Sequence, residues 1–264
     1  DKLQKDLLFE IAGIKDFPDG AYNIRVDGQS AGRASTENIS VGPLSNGKQG
    51  LEIHIKPGTK ETVYIPVLIS ESGYTETVYN DFYIGEDSDV EIIAGCGIHS
   101  CTGDHGAQHD GIHSFFVGKN AKVTYVEKHY GEGDENSKRV FNPVTKVFLD
   151  EGGTMEIETT QIKGVSSTKR VTQGTLKDNT SLIVKEKLMT DNDDYAETEF
   201  DVELNGENSS TNVISRSVAR GNSNQVFISK INGNNKCYGH SECDAIIMDN
   251  SCVKAVPEIT ANHI

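Results

Sequence analysis

One phrase recurs along this chain and limits what it can fold into: an apolar strand end, a tight polar turn, then a small residue opening another alternating strand. It reads Phe82-Tyr83-Ile84-Gly85-Glu86-Asp87-Ser88-Asp89-Val90-Glu91-Ile92, and again Phe115-Phe116-Val117-Gly118-Lys119-Asn120-Ala121-Lys122-Val123-Thr124-Tyr125. Weaker copies run from Val147 to Ile157 and from Gly174 to Val184, and a further one opens at Leu204-Asn205-Gly206. With Val90, Val123, Met155 and Leu182 as equivalent positions, the steps are 33, 32 and 27 residues. A period of this size marks an architecture in which each unit buries its apolar face only by stacking on its neighbours. Strand units without helices between them mean a right-handed parallel β-helix or a propeller. A propeller blade needs four strands in about 40 to 45 residues and a recurring aromatic signature, whereas this chain has no Trp. The drifting period also suits a solenoid, whose loops vary while its stacked strands stay in register. A β-sandwich with chance similarity between its turns is the competing reading.

Ahead of the repeats, Leu3, Leu7 and Ile11 are spaced by four, with Leu8 alongside and Gly13 where a helix would stop. That pattern predicts a short amphipathic helix. Residues 1–20 therefore read as a helix and linker, and 21–264 as an all-β core without a later helix of convincing length. Such a chain of 264 residues is long enough to bury a sizeable core. Its net charge of -15 repels phosphate backbones and anionic lipid, so nucleic acid and membrane are poor partners. No apolar run approaches the roughly 20 residues needed to span a bilayer, and no secretory leader is evident. A soluble, cytoplasmic protein is the expectation. The opening at Asp1 without Met and the stop at Ile264 suggest trimmed ends.

Five cysteines, Cys96, Cys101, Cys237, Cys243 and Cys252, form no disulfide framework and suit a reducing compartment as free thiols or metal ligands. Cys243 lies between Glu242 and Asp244, three residues after His240, and leads into the apolar run Ala245-Ile246-Ile247-Met248. Strand alternation puts His240, Glu242 and Asp244 on one face and Ser241, Cys243 and Ala245 on the other, so this segment alone does not complete a site. The plain alternative is a buried Cys serving as a small hydrophobe.

A second cluster, Gly95 to His113, holds Cys96, His99, Cys101, His105, His109 and His113. Thiolate and imidazole suit iron or zinc, with Cys96, His99, Cys101, His109 and His113 as candidate ligands, although the spacing matches no zinc ribbon or finger. Its glycines, each about 1 kcal/mol unfavourable in a helix, argue for a loop between rungs. At an extended end of that loop, His109, Gly111 and His113 would share a face. A His-rich surface loop is the alternative. Gly95-Cys96-Gly97 lacks the third glycine of a dinucleotide fingerprint, and there is no Walker lysine motif or Gly-x-Ser-x-Gly elbow. Asp191-Asn192-Asp193-Asp194 has calcium-ligand chemistry but reads more simply as a solvated turn, and Arg216 and Arg220 are placed to pair with acids across rungs.

The segments Ile162-Lys163-Gly164, Ile214-Ser215-Arg216-Ser217-Val218-Ala219-Arg220, Lys230-Ile231-Asn232-Gly233-Asn234 and Gly239-His240-Ser241-Glu242-Cys243-Asp244-Ala245-Ile246-Ile247-Met248 resemble the SufB/SufD family of iron-sulfur cluster assembly proteins, in particular the short SufB-like forms of anaerobic archaea and bacteria. The resemblance implies a right-handed parallel β-helix and a scaffold, not itself an enzyme. On that scaffold an iron-sulfur cluster is transiently assembled and passed to recipient apo-proteins, with a SufC-like ATP-binding-cassette ATPase and a homodimer as partners. The family's cluster-ligand cysteine matches Cys243, and Glu242, His240 and Asp244 would support it. Three departures qualify this. The His-Glu ligand motif expected soon after Pro257-Glu258-Ile259 is not reached before His263-Ile264, and the helical segment that binds the ATPase is not seen. The sulfur-accepting Cys of larger members is expected near Asn142-Pro143-Val144-Thr145, where Thr145 lacks that chemistry, so the Cys96 to His113 segment would replace it or bind metal. Two other classes remain open: a carbohydrate-cleaving β-helix enzyme, and a structural solenoid whose Cys residues only pack.

Overall fold

The structure, a computed structural model, describes residues 2–100, 106–134 and 136–263. Helix α1 (Lys2–Ala12) is followed by two antiparallel hairpins, β1 (Ala21–Val26) with β2 (Gln29–Ala34) and β3 (Ile39–Pro43) with β4 (Gly50–Ile55), and by the short strands β5 (Thr62–Tyr64) and β6 (Val67–Ile69). The chain then alternates between two walls: β7 (Thr75–Ile84), β8 (Asp89–Ser100), β9 (Ala107–Val117), β10 (Lys122–Gly133), β11 (Arg139–Phe141), β12 (Val144–Leu149), β13 (Thr154–Lys163), β14 (Ser167–Leu176), β15 (Ser181–Thr190), β16 (Tyr195–Leu204), β17 (Ser210–Ala219), β18 (Asn224–Gly233), β19 (Tyr238–Ile247) and β20 (Cys252–Ala261). The result is a parallel β-solenoid of about 7 turns. One ten-stranded sheet runs β19-β17-β15-β13-β10-β8 and on to the first hairpin; the other runs β20-β18-β16-β14, through β11 and β12, to β9-β7-β4-β3. Between β11 and β12 the wall is interrupted at Asn142-Pro143, where a proline has no N–H to give the ladder.

The repeat read from the sequence is the repeat of the fold. Val123 pairs with Val90 on one side and Met155 on the other, and Met155 pairs with Leu182. The copy opening at Leu204 continues the column, with Thr211 beside Leu182. Five successive turns from the second sheet to the first use a left-handed residue at an equivalent place: Asp87, Asn120, Gly152, Asn179 and Asn208 all have positive φ. Asp, Asn and Gly are the residues that adopt this conformation most readily. Their backbone N–H groups donate to the next rung's turn, Asp87 to Lys119, Asn120 to Glu151, Gly152 to Asp178, Asn179 to Glu207 and Asn208 to Lys236, at 2.7 to 3.0 Å. That corner is therefore a hydrogen-bonded ladder.

Apolar side chains from both walls fill the half of the interior beside this ladder, among them Phe82, Phe115, Val123, Ile157, Leu182, Phe200 and Val213. Phe82 and Phe115 stack at 4.5 Å between centroids. A second aromatic column, His54, Tyr83, Phe116 and Phe148, stacks on the outer face at 4.7 to 5.1 Å.

As predicted, α1 stops at Gly13, whose φ is +71°. Leu7, Leu8, Ile11 and Ala12 are buried against Ile24 and Leu68. Two strand glycines let the helix approach the wall. A Cβ on Gly95 would lie 2.6 Å from the Ile11 carbonyl oxygen and 2.8 Å from its Cβ. Gly95→Ala is therefore expected to lift α1 at a cost of about 1–3 kcal/mol, seen as faster hydrogen exchange from Leu7 to Ile11 with the sheet ladder unchanged. Protection equal to that of the parent would refute this account of the contact.

Candidate functional site

The interior away from the aliphatic core is charged. The expected loop from Gly95 to His113 is mostly strand: Cys96 and His99 lie in β8, and His109 and His113 lie in β9. Glycines that disfavour a helix here permit close packing instead, Gly95 beneath α1 and Gly111 between two imidazoles, where a Cβ would lie 3.1 Å from His113 Nε2 and 3.4 Å from His109 Nε2. His109, Gly111 and His113 do share the inner face. Cys101 and His105 lie outside the described residues.

Cys96 is buried inward on β8 beside His129 of β10, its paired residue, and close enough to His109 for the two imidazoles to act on its thiol. His109 stands 3.0 Å through Nδ1 from Glu76 Oε1. An ionised carboxylate can only accept, so Nδ1 carries a proton and Nε2 is the nitrogen left for Cys96. The other Glu76 oxygen takes Arg25 Nε at 2.8 Å and Gln49 Nε2 at 3.0 Å. Burial pushes the Cys96 thiol up, but the charges and hydrogen bonds of His109 and His129 outweigh it and leave the thiol below its ordinary value. Burial opposes charging His109, yet Cys96 and then Glu76 raise it to about 10. Each group therefore favours the charged form of the other.

Next to it, Glu127 is held by Arg170, and Arg170 Nη2 stands 3.3 Å from His129 Nδ1. Burial pushes Glu127 up; the Arg170 charge, helped by His129, holds it well below the usual carboxylate range. Tyr125 donates to Glu127 at 3.0 Å, and its oxygen lies 2.7 Å from His113 Nδ1. His113 Nε2 accepts from Asn80 at 3.2 Å. Both ring nitrogens of His113 are engaged, and burial lowers the ring to about 4, so His113 is a neutral link. His99 pairs with Glu132 at 3.3 Å.

Register carries the polar column onward. Glu127, Thr159, Glu186, Ser215 and Cys243 are successive paired neighbours in one sheet. Glu186 Oε1 accepts from Ser215 Oγ at 2.6 Å and from Thr198 Oγ1 at 3.3 Å. Glu186 is raised by burial. Thr159 Oγ1, Gln161 Nε2, Ser229 Oγ and Ser241 Oγ are buried with no protein partner.

Cys243 is half-buried on β19 and packs against the core from the last described rung. Burial raises its thiol, and the Glu186 and Asp244 charges add to that. His240, Glu242 and Asp244 face outward, as alternation required. There Arg216 reaches Glu242 at 3.5 Å and Asp244 at 3.8 Å, and His240 stands 3.5 Å from Glu242. Arg220 pairs with Asp191 at 3.8 Å. The strand thus separates Cys243 from its three neighbours in sequence. Among the described residues no group of three or more His, Cys, Asp or Glu is arranged to hold a metal ion.

The polar column ends at an inward thiol in the segment carrying the SufB/SufD resemblance, and comparison with known proteins bears that resemblance out. Residues 72–263 match the SUF system FeS cluster assembly family, over its SufBD core domain. The chain belongs to the SufBD family. It is 28% identical over 223 residues to an iron-sulfur cluster assembly SufBD family protein of Methanocaldococcus jannaschii, covering 83% of this chain and 69% of that protein. Its identity to SufBD family proteins of Archaeoglobus fulgidus and Methanothermobacter thermautotrophicus is 26%, over 81% and 80% of this chain. The chain spans only 57% and 51% of those two relatives. SufBD membership supports a role in iron-sulfur cluster assembly.

The residues that reasoning from sequence missed are Glu76, Glu127, His129, Arg170 and Glu186. Each sits at an inward position of an alternating strand, so a repeat alignment extended past the aliphatic positions would have stacked them. As to the membrane, no helix among the described residues is long and apolar enough to cross one.

Proposed function

We propose that this SufBD chain is a scaffold on which iron and sulfide are brought together as substrates, with Cys243 an iron ligand and Cys96 the interior thiol that accepts sulfur. The observation that carries the reading is the inner column from the Cys96, His129 and Glu127 cluster through Thr159, Glu186 and Ser215 to Cys243. Thr145 also faces inward and is buried, but a hydroxyl cannot form a persulfide. Cys96, on the interior of a neighbouring rung, has the chemistry Thr145 lacks. A thiolate is the form that ligates iron, and Cys243 continues the inner column beyond Ser215. Glu242, Asp244 and His240 support the site electrostatically from the outer face. In this reading the chain assembles a cluster transiently for recipient apo-proteins in the cytoplasm and is driven by a separate SufC-like ATPase.

A homodimer is part of this reading, since a two-fold contact would bring two Cys243 sites to one interface.

Anaerobic reconstitution with iron and sulfide tests the assignment. The parent is expected to bind both and develop broad visible absorbance, and Cys243→Ala to lose most of the iron. Equal iron and sulfide on parent and variant would remove Cys243 as a ligand. Sedimentation showing only monomer would remove the dimer.

A further inference from the structure

The proposed sulfur acceptor is enclosed by a particular set of groups. From β9, His109 faces Cys96 with Nε2 while its Nδ1–H is fixed on Glu76 of β7. From β10 come His129 and Glu127, from β14 Arg170, and behind Glu76 stands Arg25 of β1. This is the arrangement of an activated nucleophile: a thiol, a base within hydrogen-bond reach, and a third group that orients the base. At 7% exposure, a thiol without such partners would stay protonated and inert. One rung on, Gln161, paired with His129, carries its buried Nε2 without a protein partner, as Thr159 does its hydroxyl. Two unsatisfied polar groups on the rung beyond His129 and Glu127 suit a small polar guest in the column rather than packed hydrocarbon.

We propose that His109, oriented by Glu76, is the positioning residue that holds Cys96 as a nucleophilic thiolate and supplies the proton for the group it displaces. The inference rests on the reading of Cys96 as the sulfur-accepting thiol. In the step implied, Cys96 Sγ attacks the outer sulfur of a persulfide donor, RS–SH. The bond between Cys96 and that sulfur forms as the donor S–S bond breaks, the donor leaves with the electron pair as RS⁻, and the His109 proton converts it to RSH. No outside oxidant or reductant is needed, because the sulfane sulfur moves with its oxidation state unchanged. Glu76 keeps the imidazole in one tautomer and stabilises its charge.

The test separates ionisation from sulfur transfer. Thiolate ultraviolet absorbance, taken as the difference between parent and Cys96→Ser across pH, is expected to titrate below the ordinary Cys value of about 8.5. In His109→Gln, against His109→Gln/Cys96→Ser, it should titrate above that value, and Glu76→Gln should fall between. A low-molecular-weight persulfide should add one sulfur atom to Cys96 in the parent, read by mass after alkylation, and at least tenfold more slowly in His109→Gln at neutral pH, with the deficit shrinking as pH rises. Should His109→Gln not fold, Glu76→Gln provides both readouts. A Cys96 titration unmoved by either substitution overturns the role of His109. A normal titration in a parent that gains no sulfur overturns the sulfur-accepting reading alone.

Discussion

Replacing Arg170 by Met should destabilise the solenoid by about 3–5 kcal/mol, because it leaves the Glu127 carboxylate buried without its cation. Both side chains are nearly inaccessible, at 4% and 2%, so water cannot take over. The loss is expected as a lower urea midpoint and as faster exchange centred on β10, β13 and β14, since solenoid stability is a sum over rungs and their neighbours. Glu127→Gln/Arg170→Met should recover a substantial part, as removing both charges is far milder than removing one. The sign with pH follows from the depressed Glu127 value. A carboxyl held below its unfolded value of about 4.3 stabilises the fold above that pH and loses the contribution as pH falls through its folded value. The parent should therefore lose stability on acidification more steeply than the double variant. An Arg170→Met midpoint matching the parent's at neutral pH would show that the pair is not a closed ionic contact.

Phe115→Ala should cost about 3–5 kcal/mol, the range for emptying an aromatic site in a packed core. Phe115 is fully buried, parallel to Phe82 at 4.5 Å and tilted against Tyr125 at 4.9 Å. Its removal also frees Tyr125, whose hydroxyl links His113 to Glu127, so damage passes from the aliphatic half of the interior to the charged half. Phe116→Ala, one residue on and facing outward at 38% exposure, should cost about 1 kcal/mol or less despite its own stacking. Thermal unfolding of the two variants is the measurement. Comparable losses would mean that the inner stack contributes no more than the outer one.

The repeat was legible because aliphatic residues recur where strands begin. Val90, Val123, Met155 and Leu182 sit directly after the tight turns, so unequal spacings elsewhere do not blur their alignment. Cys243 was legible as lying on the opposite face from His240, Glu242 and Asp244, because β19 pairs without a register shift. The charged cluster was not. Arg170 follows Lys169 and reads as an ordinary basic pair, and Glu76, Glu127 and Glu186 cannot be singled out among 40 acidic residues until the register is known. Cys96 and His129 are 33 residues apart, one full winding, yet paired neighbours. Local glycines around Cys96 pointed to a loop, whereas their actual role is to admit α1 and to leave room between imidazoles.

Both corners of the solenoid are tied from rung to rung. Opposite the ladder of Asp87, Asn120, Gly152, Asn179 and Asn208, the Asn222 N–H donates to Asn192 at 2.7 Å and the Asn250 N–H to Gly221 at 2.9 Å, and Asn192, Gly221 and Asp249 are again left-handed. Strands β13 to β18 are each ten residues long, so windings of 27 and 29 residues differ only at their corners: 164–166 and 177–180 in one, 191–194 and 205–209 in the other. Differences in length are taken up where the chain bends, and the groups that line the channel keep their places.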